Sequence, residues 1–578
     1  MPTPIPMPTF GLRFWSMLLF VALAATAVNC TTTESESPTA ATSGSATIGS
    51  GGMGGGGGAG GAGGMSVLPG AFCTERGLPI ATFDAKGPFG TLRHELADDF
   101  SVPLLDGSLW RLSENFTGCD SYVFLGSALT NSALDKSSLW NRDIDQLIAK
   151  SPENAHYFFV ATRNVADAQV ELDELKPRIE AALLALAPAK AELWRSRLHI
   201  VAKHGTELVG WVHSLLSTGA TRGGFAIDRS QQVRFMGQFA DVKRFKTALQ
   251  NANEWPWESN LSYATYEVRH FNYEAKRGAE LSKDGATVVS VWKDEVLKFN
   301  VETEVVLPDA AAMVKFDTLT IDNVMNCEDP KKGEFGNCGA WDYIADLFLI
   351  GEDGTSKIEL ARFITTYHRE GHYSVDATPL LVELKKGGKR KLRYEVSPEW
   401  NQQAYLSRID FRFSNQQKGY RPTGATYLFS GGDFNAAYNA KYAPVEVMIP
   451  ATAKRVELWA IISGHGGAAQ NCAEFCRHQH EFTVNGMVFT KDHPLAQKQD
   501  GCIGELENGL VPNQGGTWWF GRGGWCPGQQ VVPYVVDVTS AVKPGEKTLV
   551  SYRGLLNGKL PPDNAGQIVM SSYLVVHE

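Results

Sequence analysis

Asn471-Cys472-Ala473-Glu474-Phe475-Cys476-Arg477-His478-Gln479-His480, followed by Trp518-Trp519-Phe520-Gly521-Arg522-Gly523-Gly524-Trp525-Cys526-Pro527-Gly528, decides how the rest of this chain is read. Each segment closes a loop with cysteine and sets an ionisable group beside it, a carboxylate at Glu474 and a guanidinium at Arg522. Trp341-Asp342 adds a second acid next to an indole. Acids, an arginine and tryptophans read as exposed suit a saccharide, whose ring offers an apolar face for stacking and hydroxyls for ionic hydrogen bonds.

Outward from these loops, everything after Trp255-Pro256-Trp257 has one texture: short alternating strands bounded by Gly, Pro and Asp, with few helical periods. Thr287 to Trp292, Leu297 to Leu307, Tyr343 to Ile350, Val456 to Ile462 and Ile568 to Val576 are examples. Roughly 300 residues of such strands predict two all-β sandwiches, over 256–430 and 431–578. Residues 71–255 read differently, as apolar strands (Tyr122 to Leu125, His156 to Val160) alternating with helical stretches, the longest from Ala166 to Leu186. That alternation predicts an α/β layer, closed by a hairpin at Phe225 to Phe235 and a helix near Val242 to Asn251.

The chain has 578 residues, too many for one core, and its net charge of −9 comes with no basic block for nucleic acid. Arg13 precedes an apolar run from Phe14 to Val28, the length of a signal-peptide core and short for a membrane span. Residues 1–30 are therefore expected to direct export, with Cys30 as a lipidation site, and the Gly/Ser-rich stretch 31–70 to act as a tether. A protein secreted or lipid-anchored at the bacterial outer membrane or periplasm follows, meeting a membrane only through that anchor. The nine cysteines agree with an oxidising compartment. Setting Cys30 aside, the rest fall into sequence-local pairs, Cys73 with Cys119, Cys327 with Cys338, Cys472 with Cys476 and Cys502 with Cys526, although spacing alone does not fix connectivity.

Two resemblances sharpen this reading. The α/β part resembles a thioredoxin-like domain, yet the turn Gly126-Ser127-Ala128-Leu129-Thr130 lacks the C-x-x-C that thiol chemistry requires, which implies a scaffold or docking module. From Thr287 onward, the strings Cys338-Gly339-Ala340-Trp341-Asp342-Tyr343, Arg362-Phe363-Ile364-Thr365, Cys472 to Cys476 and Arg522 to Gly528 resemble, in order, the peptide-N-glycosidase F family. The resemblance implies jelly-roll sandwiches side by side and an amidase without a cofactor that removes asparagine-linked glycans from glycopeptides. It strengthens the last three cysteine pairings. It also implies Asp342 as the catalytic acid/base that activates water, Glu474 as second catalytic carboxylate, Arg522 as polar clamp, and Trp525 and Trp400 as stacking surfaces, with Trp341 beside them. This chain departs from the pattern where Tyr343 replaces an arginine and where His465 and Phe475 replace tryptophans. A further family glutamate falls near Trp400, at Glu399 or Glu395.

Two other readings compete. His478 and His480 are two apart, which in a strand puts both rings on one face, and His465 lies a short loop away. Three imidazoles can bind copper or zinc, and the family's sandwich architecture resembles that of copper monooxygenases that use a His-x-His pair. Against this, His480 also matches a histidine of the glycosidase family. The third reading is a surface glycan-binding protein that keeps the aromatic platform without turnover.

Overall fold

The structure, a computed structural model, describes residues 70–128, 138–217, 223–241, 258–466, 473–563 and 566–578. The expected signal segment, Cys30, nearly all of the tether, the helix near Val242 and Cys472 lie outside the described residues. The described ones belong to one compact unit.

A small ribbon, β1 (Ser101–Pro103) with β2 (Leu109–Arg111), precedes a five-stranded mixed sheet. Its strands are β3 (Ser121–Gly126), β4 (Ala155–Val160), β5 (Leu198–Ile200), β6 (Gly224–Ile227) and β7 (Val233–Phe235), in the order β5-β4-β3-β6-β7. β3, β4 and β5 run parallel, while β6 and β7 form the expected antiparallel hairpin. β3 is buried throughout because both faces are covered. Val123 and Leu125 meet the helices Ile144–Lys150 and Ala168–Leu184, and Tyr122 and Phe124 meet Trp110, Val212 and Leu215.

A two-residue pair, β8 (Ala240–Asp241) with β9 (Glu258–Ser259), leads into a helix at Ala264–Lys283. This helix corrects the all-strand reading of 256–430. Its first half, Ala264 to Phe271, is buried nearly all round, while the second half alternates exposed residues with Glu274 and Arg277, which turn inward to Arg234 and Asp322.

Two antiparallel sandwiches follow. The first begins with β10 (Thr287–Leu297), β11 (Asn300–Asp309), β12 (Thr318–Cys327) and β13 (Ile344–Ile350). It continues with β14 (Lys357–Ile364), β15 (Gly371–Asp376), β16 (Gly387–Glu395) and β17 (Tyr405–Ser414). These strands form sheets β10-β17-β12-β15 and β11-β16-β13-β14. The second sandwich comprises β18 (Pro422–Asp433), β19 (Val445–Met448), β20 (Arg455–His465), β21 (His478–Val484), β22 (Met487–Asp492), β23 (Tyr534–Asp537), β24 (Lys547–Leu556) and β25 (Gln567–His577). Its sheets are β18-β25-β20-β23 and β19-β24-β21-β22. The sandwiches share a core, since Trp459, Ile461, Trp525, Tyr573 and Val575 of the second pack among the first's residues.

The segment from β22 to β23 leaves the second sandwich and enters the core of the α/β layer. Cys502, Leu506, Leu510, Trp518, Trp519 and Cys526 are buried with Trp140, Ile144, Phe239 and Tyr263. Disulfides join Cys73 to Cys119, Cys327 to Cys338 and Cys502 to Cys526. Cys476 is disulfide-bonded as well.

Candidate active site

Asp342 stands on the loop between β12 and β13, behind the Cys327–Cys338 staple. Thr365 fixes the backbone on both sides of it: its Oγ1 accepts the Tyr343 N–H at 2.7 Å and donates to the Trp341 carbonyl at 2.6 Å. Glu474 is held on the loop entering β21, where its amide donates to Gly466 O at 3.1 Å and its Oε2 accepts the Gly466 N–H at 3.2 Å. Gly523 N–H donates to Glu474 O at 2.6 Å, so the Arg522 loop and the Glu474 loop are tied together.

Arg522 brings the two acids to one point. Its Nη2 lies 3.3 Å from Asp342 Oδ2 and its Nε 3.4 Å from Glu474 Oε1. Nη1 donates to the carbonyls of Thr517 at 3.1 Å and Phe520 at 2.9 Å, which aims the guanidinium. The arginine side chain is 1% exposed and the acids 15% and 21%, so the cation is sealed and the carboxylates face outward. Burial raises both acids above their ordinary values, opposed by Arg522 in each case; Tyr367 further lowers Asp342, and the charge on Asp342 further raises Glu474. For Arg522 burial works downward, and the anionic neighbours outweigh it.

The remaining expected residues divide. Trp341 is 48% and Trp400 68% exposed, and Phe475 is also open to solvent. Tyr343 meets Trp400 edge-on with centroids 5.5 Å apart. Glu399 is exposed beside Trp400, whereas Glu395 is committed on β16 to Lys357 and Arg393, each at 2.8 Å.

Trp525 is a correction. It is 6% exposed, because its ring packs at the seam between the sandwiches, while Trp518 and Trp519, at 0%, are covered by the α/β layer and the helix Ala264–Lys283. Its Nε1 donates to Gly464 O at 2.7 Å, its ring stacks on His465 at 5.0 Å, and Arg522 Cζ lies 4.8 Å from it. Trp525 therefore orients the arginine and is no open platform. His465 in turn contacts Ser463 Oγ at 2.7 Å, which Arg362 also holds.

Sequence reasoning missed Tyr367, whose hydroxyl sits 3.5 Å from Arg522 Nη2 and hydrogen-bonds Asp342. It lies two residues past the Arg362–Thr365 string, and nothing in its neighbours marks it out. The histidine set also changes. His478 and His480 do face inward together, but the third ring is His493, not His465, with ligand atoms of the three within 4.8 Å of one another. Register explains this, since His480 pairs with Lys491 and Gln479 with Asp492, bringing His493 opposite His478. His478 Nδ1 and His480 Nε2 share a hydrogen bond of 2.7 Å, and His480 Nδ1 is bonded to Tyr552 Oη at 2.7 Å. His493 Nε2 is buried without a partner. Burial depresses all three imidazoles, His478 to about 4, which leaves them neutral as a metal requires. Opposing a cation here, Lys491 lies near His480 and the set includes no anionic ligand.

The site is thus two sandwiches meeting at a seam, with two partly exposed carboxyls on one sealed guanidinium and exposed indoles beside them. Residues 433–575 match the family model described as peptide-N-glycosidase F, C terminal. The peptide-N(4)-(N-acetyl-beta-D-glucosaminyl)asparagine amidase F of Elizabethkingia miricola is 23% identical over 252 residues, covering 40% of this chain and 67% of that one. In its C-terminal part the chain is thus similar to the peptide-N-glycosidase F family. Among solved structures, PNGase F from Flavobacterium meningosepticum is 18% identical over 51% of this chain and 96% of its own, with a TM-score of 0.40. PNGF-II is 14% identical over 61% and 74%, with a TM-score of 0.39.

Proposed function

We propose that this protein is an exported amidase that hydrolyses the bond between an asparagine side-chain amide and its glycan on glycopeptides. The observation that carries the reading is the convergence of Asp342 and Glu474 on Arg522 within 3.4 Å, with both acids partly exposed while the guanidinium is sealed.

Asp342, flanked by Arg522 and the Tyr367 hydroxyl, serves as base, taking a proton from the attacking water. Water oxygen bonds to the amide carbon, while Arg522, sealed behind the two acids, holds both carboxyls at the reacting centre. Glu474, pushed up by burial and by Asp342, keeps a proton to give to the departing nitrogen. The carbon–nitrogen bond breaks, leaving aspartate on the peptide and a glycosylamine. Trp341, Tyr343, Trp400, Phe475 and the Glu399 loop line the approach, His465 and Trp525 act from behind, and no step requires a cofactor.

Activity is expected to fall at low pH as Asp342 takes up its proton, with the midpoint above the ordinary aspartate range, and to fall again at high pH as Glu474 loses its own. The test is to incubate purified protein with a defined glycopeptide and weigh the peptide: amidase action converts the linked Asn to Asp, while cleavage between sugars leaves one attached. Peptide that keeps its glycan in full sinks the reading and leaves the glycan-binding alternative.

A second reading takes copper at His478, His480 and His493, favoured by the unpartnered His493 Nε2. The intact hydrogen bond between His478 and His480 and the nearby Lys491 favour a structural role instead. Stoichiometric copper lost in His493→Ala would reverse that ranking. We read residues 71–255 as thioredoxin-like with its thiol chemistry absent, since Cys73 and Cys119 are buried and joined to each other. Export, as a secreted protein or one anchored by a lipid at Cys30, completes the proposal, in keeping with the disulfides.

A further inference from the structure

His478 lies under both loops that carry Glu474 and Arg522, and the proposed mechanism does not use it. Two glycines make room for its ring. A Cβ at Gly464 would lie 2.5 Å from His478 Nε2, and one at Gly523 would overlap both that nitrogen and Ala473 O. With glycine at both positions, the imidazole and the Ala473 carbonyl fill this space together. They do so next to the reacting groups, since Ala473 precedes Glu474 and Gly523 follows Arg522. The backbone ties the loops at the same point, through Gly523 N–H on Glu474 O at 2.6 Å and Gly464 N–H on Gly523 O at 2.7 Å.

The other edge of the ring is held by a chain of buried groups. His478 Nδ1 and His480 Nε2 are 2.7 Å apart, His480 Nδ1 and Tyr552 Oη 2.7 Å, and Tyr552 Oη and Tyr438 Oη 2.8 Å. Burial keeps both imidazoles uncharged. A neutral imidazole donates from one nitrogen and accepts at the other, so the series runs in one direction from end to end. His478 Nε2 is buried and faces the carbonyls of Gly523 and Ala473. A lone pair there would oppose carbonyl lone pairs, so the proton sits on Nε2, and the donors run from Tyr438 through Tyr552 and His480 to His478.

Resting on the amidase reading, we infer that His478 is a positioning residue: as the last donor of this chain it directs Nε2–H at the Ala473 and Gly523 carbonyls, and so fixes Glu474 and Arg522 relative to each other and Arg522 relative to Asp342. The same assignment occupies both ring nitrogens and leaves neither for a metal.

Two substitutions separate the two edges of the ring. His478→Asn puts an amide where Nδ1 stands and keeps the bond to His480, but stops short of the carbonyls; His478→Gln reaches the carbonyls and gives up His480. His478→Asn is expected to lower kcat on a defined glycopeptide about 10- to 100-fold, with KM and melting temperature near those of wild type. It should also move the acid limb of the pH profile up by about half a pH unit, because a loosened Arg522 opposes the Asp342 proton less. His478→Gln is expected to melt lower, with a buried donor stranded at His480, and to keep kcat within about threefold of wild type. Activity falling in step with melting temperature across both variants would make the ring merely structural and overturn the inference. So would wild type that drops to the His478→Asn rate after EDTA treatment, since the ring would then serve a metal. A titration that needs no turnover separates this from the amidase reading. The Asp342 carboxyl, followed by carbon-13 NMR and assigned by its loss in Asp342→Asn, should titrate higher in His478→Asn and as in wild type in His478→Gln. That shift in a protein that never deglycosylates would keep the positioning role and sink the amidase alone; no shift in His478→Asn would overturn the inference.

Discussion

Arg522 and Arg369 are each a buried guanidinium between two carboxylates, and they do opposite things. Arg369 sits 2.8 Å from Glu267 and 3.0 Å from Glu334, acids whose side chains are 0% and 9% exposed. Its other donors go to Pro512 O at 2.8 Å and Phe235 O at 2.9 Å. It thereby joins the α/β layer, the helix Ala264–Lys283, the Asp342 loop and the segment leading to Arg522. Arg522 has looser pairs, 3.3 and 3.4 Å, and its acids face solvent. The same triad is a rivet where all three side chains are sealed, and a candidate reaction centre where the acids are partly exposed.

Substitutions break this contrast in opposite directions. Asp342→Asn should give the largest effect, a fall in kcat on the order of 10²–10⁴-fold in glycopeptide cleavage with the fold intact by circular dichroism. A variant that cleaves at the wild-type rate would remove Asp342 from the chemistry. Arg369→Gln should instead act on stability, because it strands two buried acids; a loss of about 3–5 kcal/mol in urea unfolding is expected. Arg522→Gln should cost less stability than Arg369→Gln and far more activity. If the two variants lost stability and activity in the same proportion, sealed and open would be a distinction without consequence.

The history of the site residues explains what a sequence can carry. Asp342, Glu474 and Arg522 were legible through the resemblance of their short cysteine-flanked strings to a known family, a match that survives because each string is contiguous in the chain. Trp518, Trp519 and Trp525 were misread as exposed because their burial depends on what folds over them, and that cover comes from residues before Thr287 and from the sandwich seam. Ala264, Val268 and Phe271 did signal their helix, but the surrounding Tyr, Asn, Glu and Arg diluted the stripe. His493 was invisible for another reason: register across a hairpin, not nearness along the chain, chose it over His465.

A third arginine supplies the finest test. Arg362, at the seam, lies 3.1 Å from Asp346 and 2.7 Å from Glu359, and donates to Ser463 Oγ and Val569 O at 2.8 Å. Here the acids crowd each other. Burial first and Glu359 second raise Asp346 well above the usual range, against the pull of Arg362. A carboxyl whose folded pKa is raised binds its proton more tightly in the folded chain. Stability from this group is therefore fully present below the unfolded value, about 4, and is lost as pH rises towards the folded one. Asp346→Asn mimics the protonated acid and leaves the Glu359 pair in place, so thermal melts should show near-equality with wild type at pH 4 and a small advantage for the variant at pH 9, on the order of 1 kcal/mol. A variant less stable at pH 9 than wild type would mean that Asp346 is charged and needed there, making the seam a rivet like Arg369 rather than a strained pair.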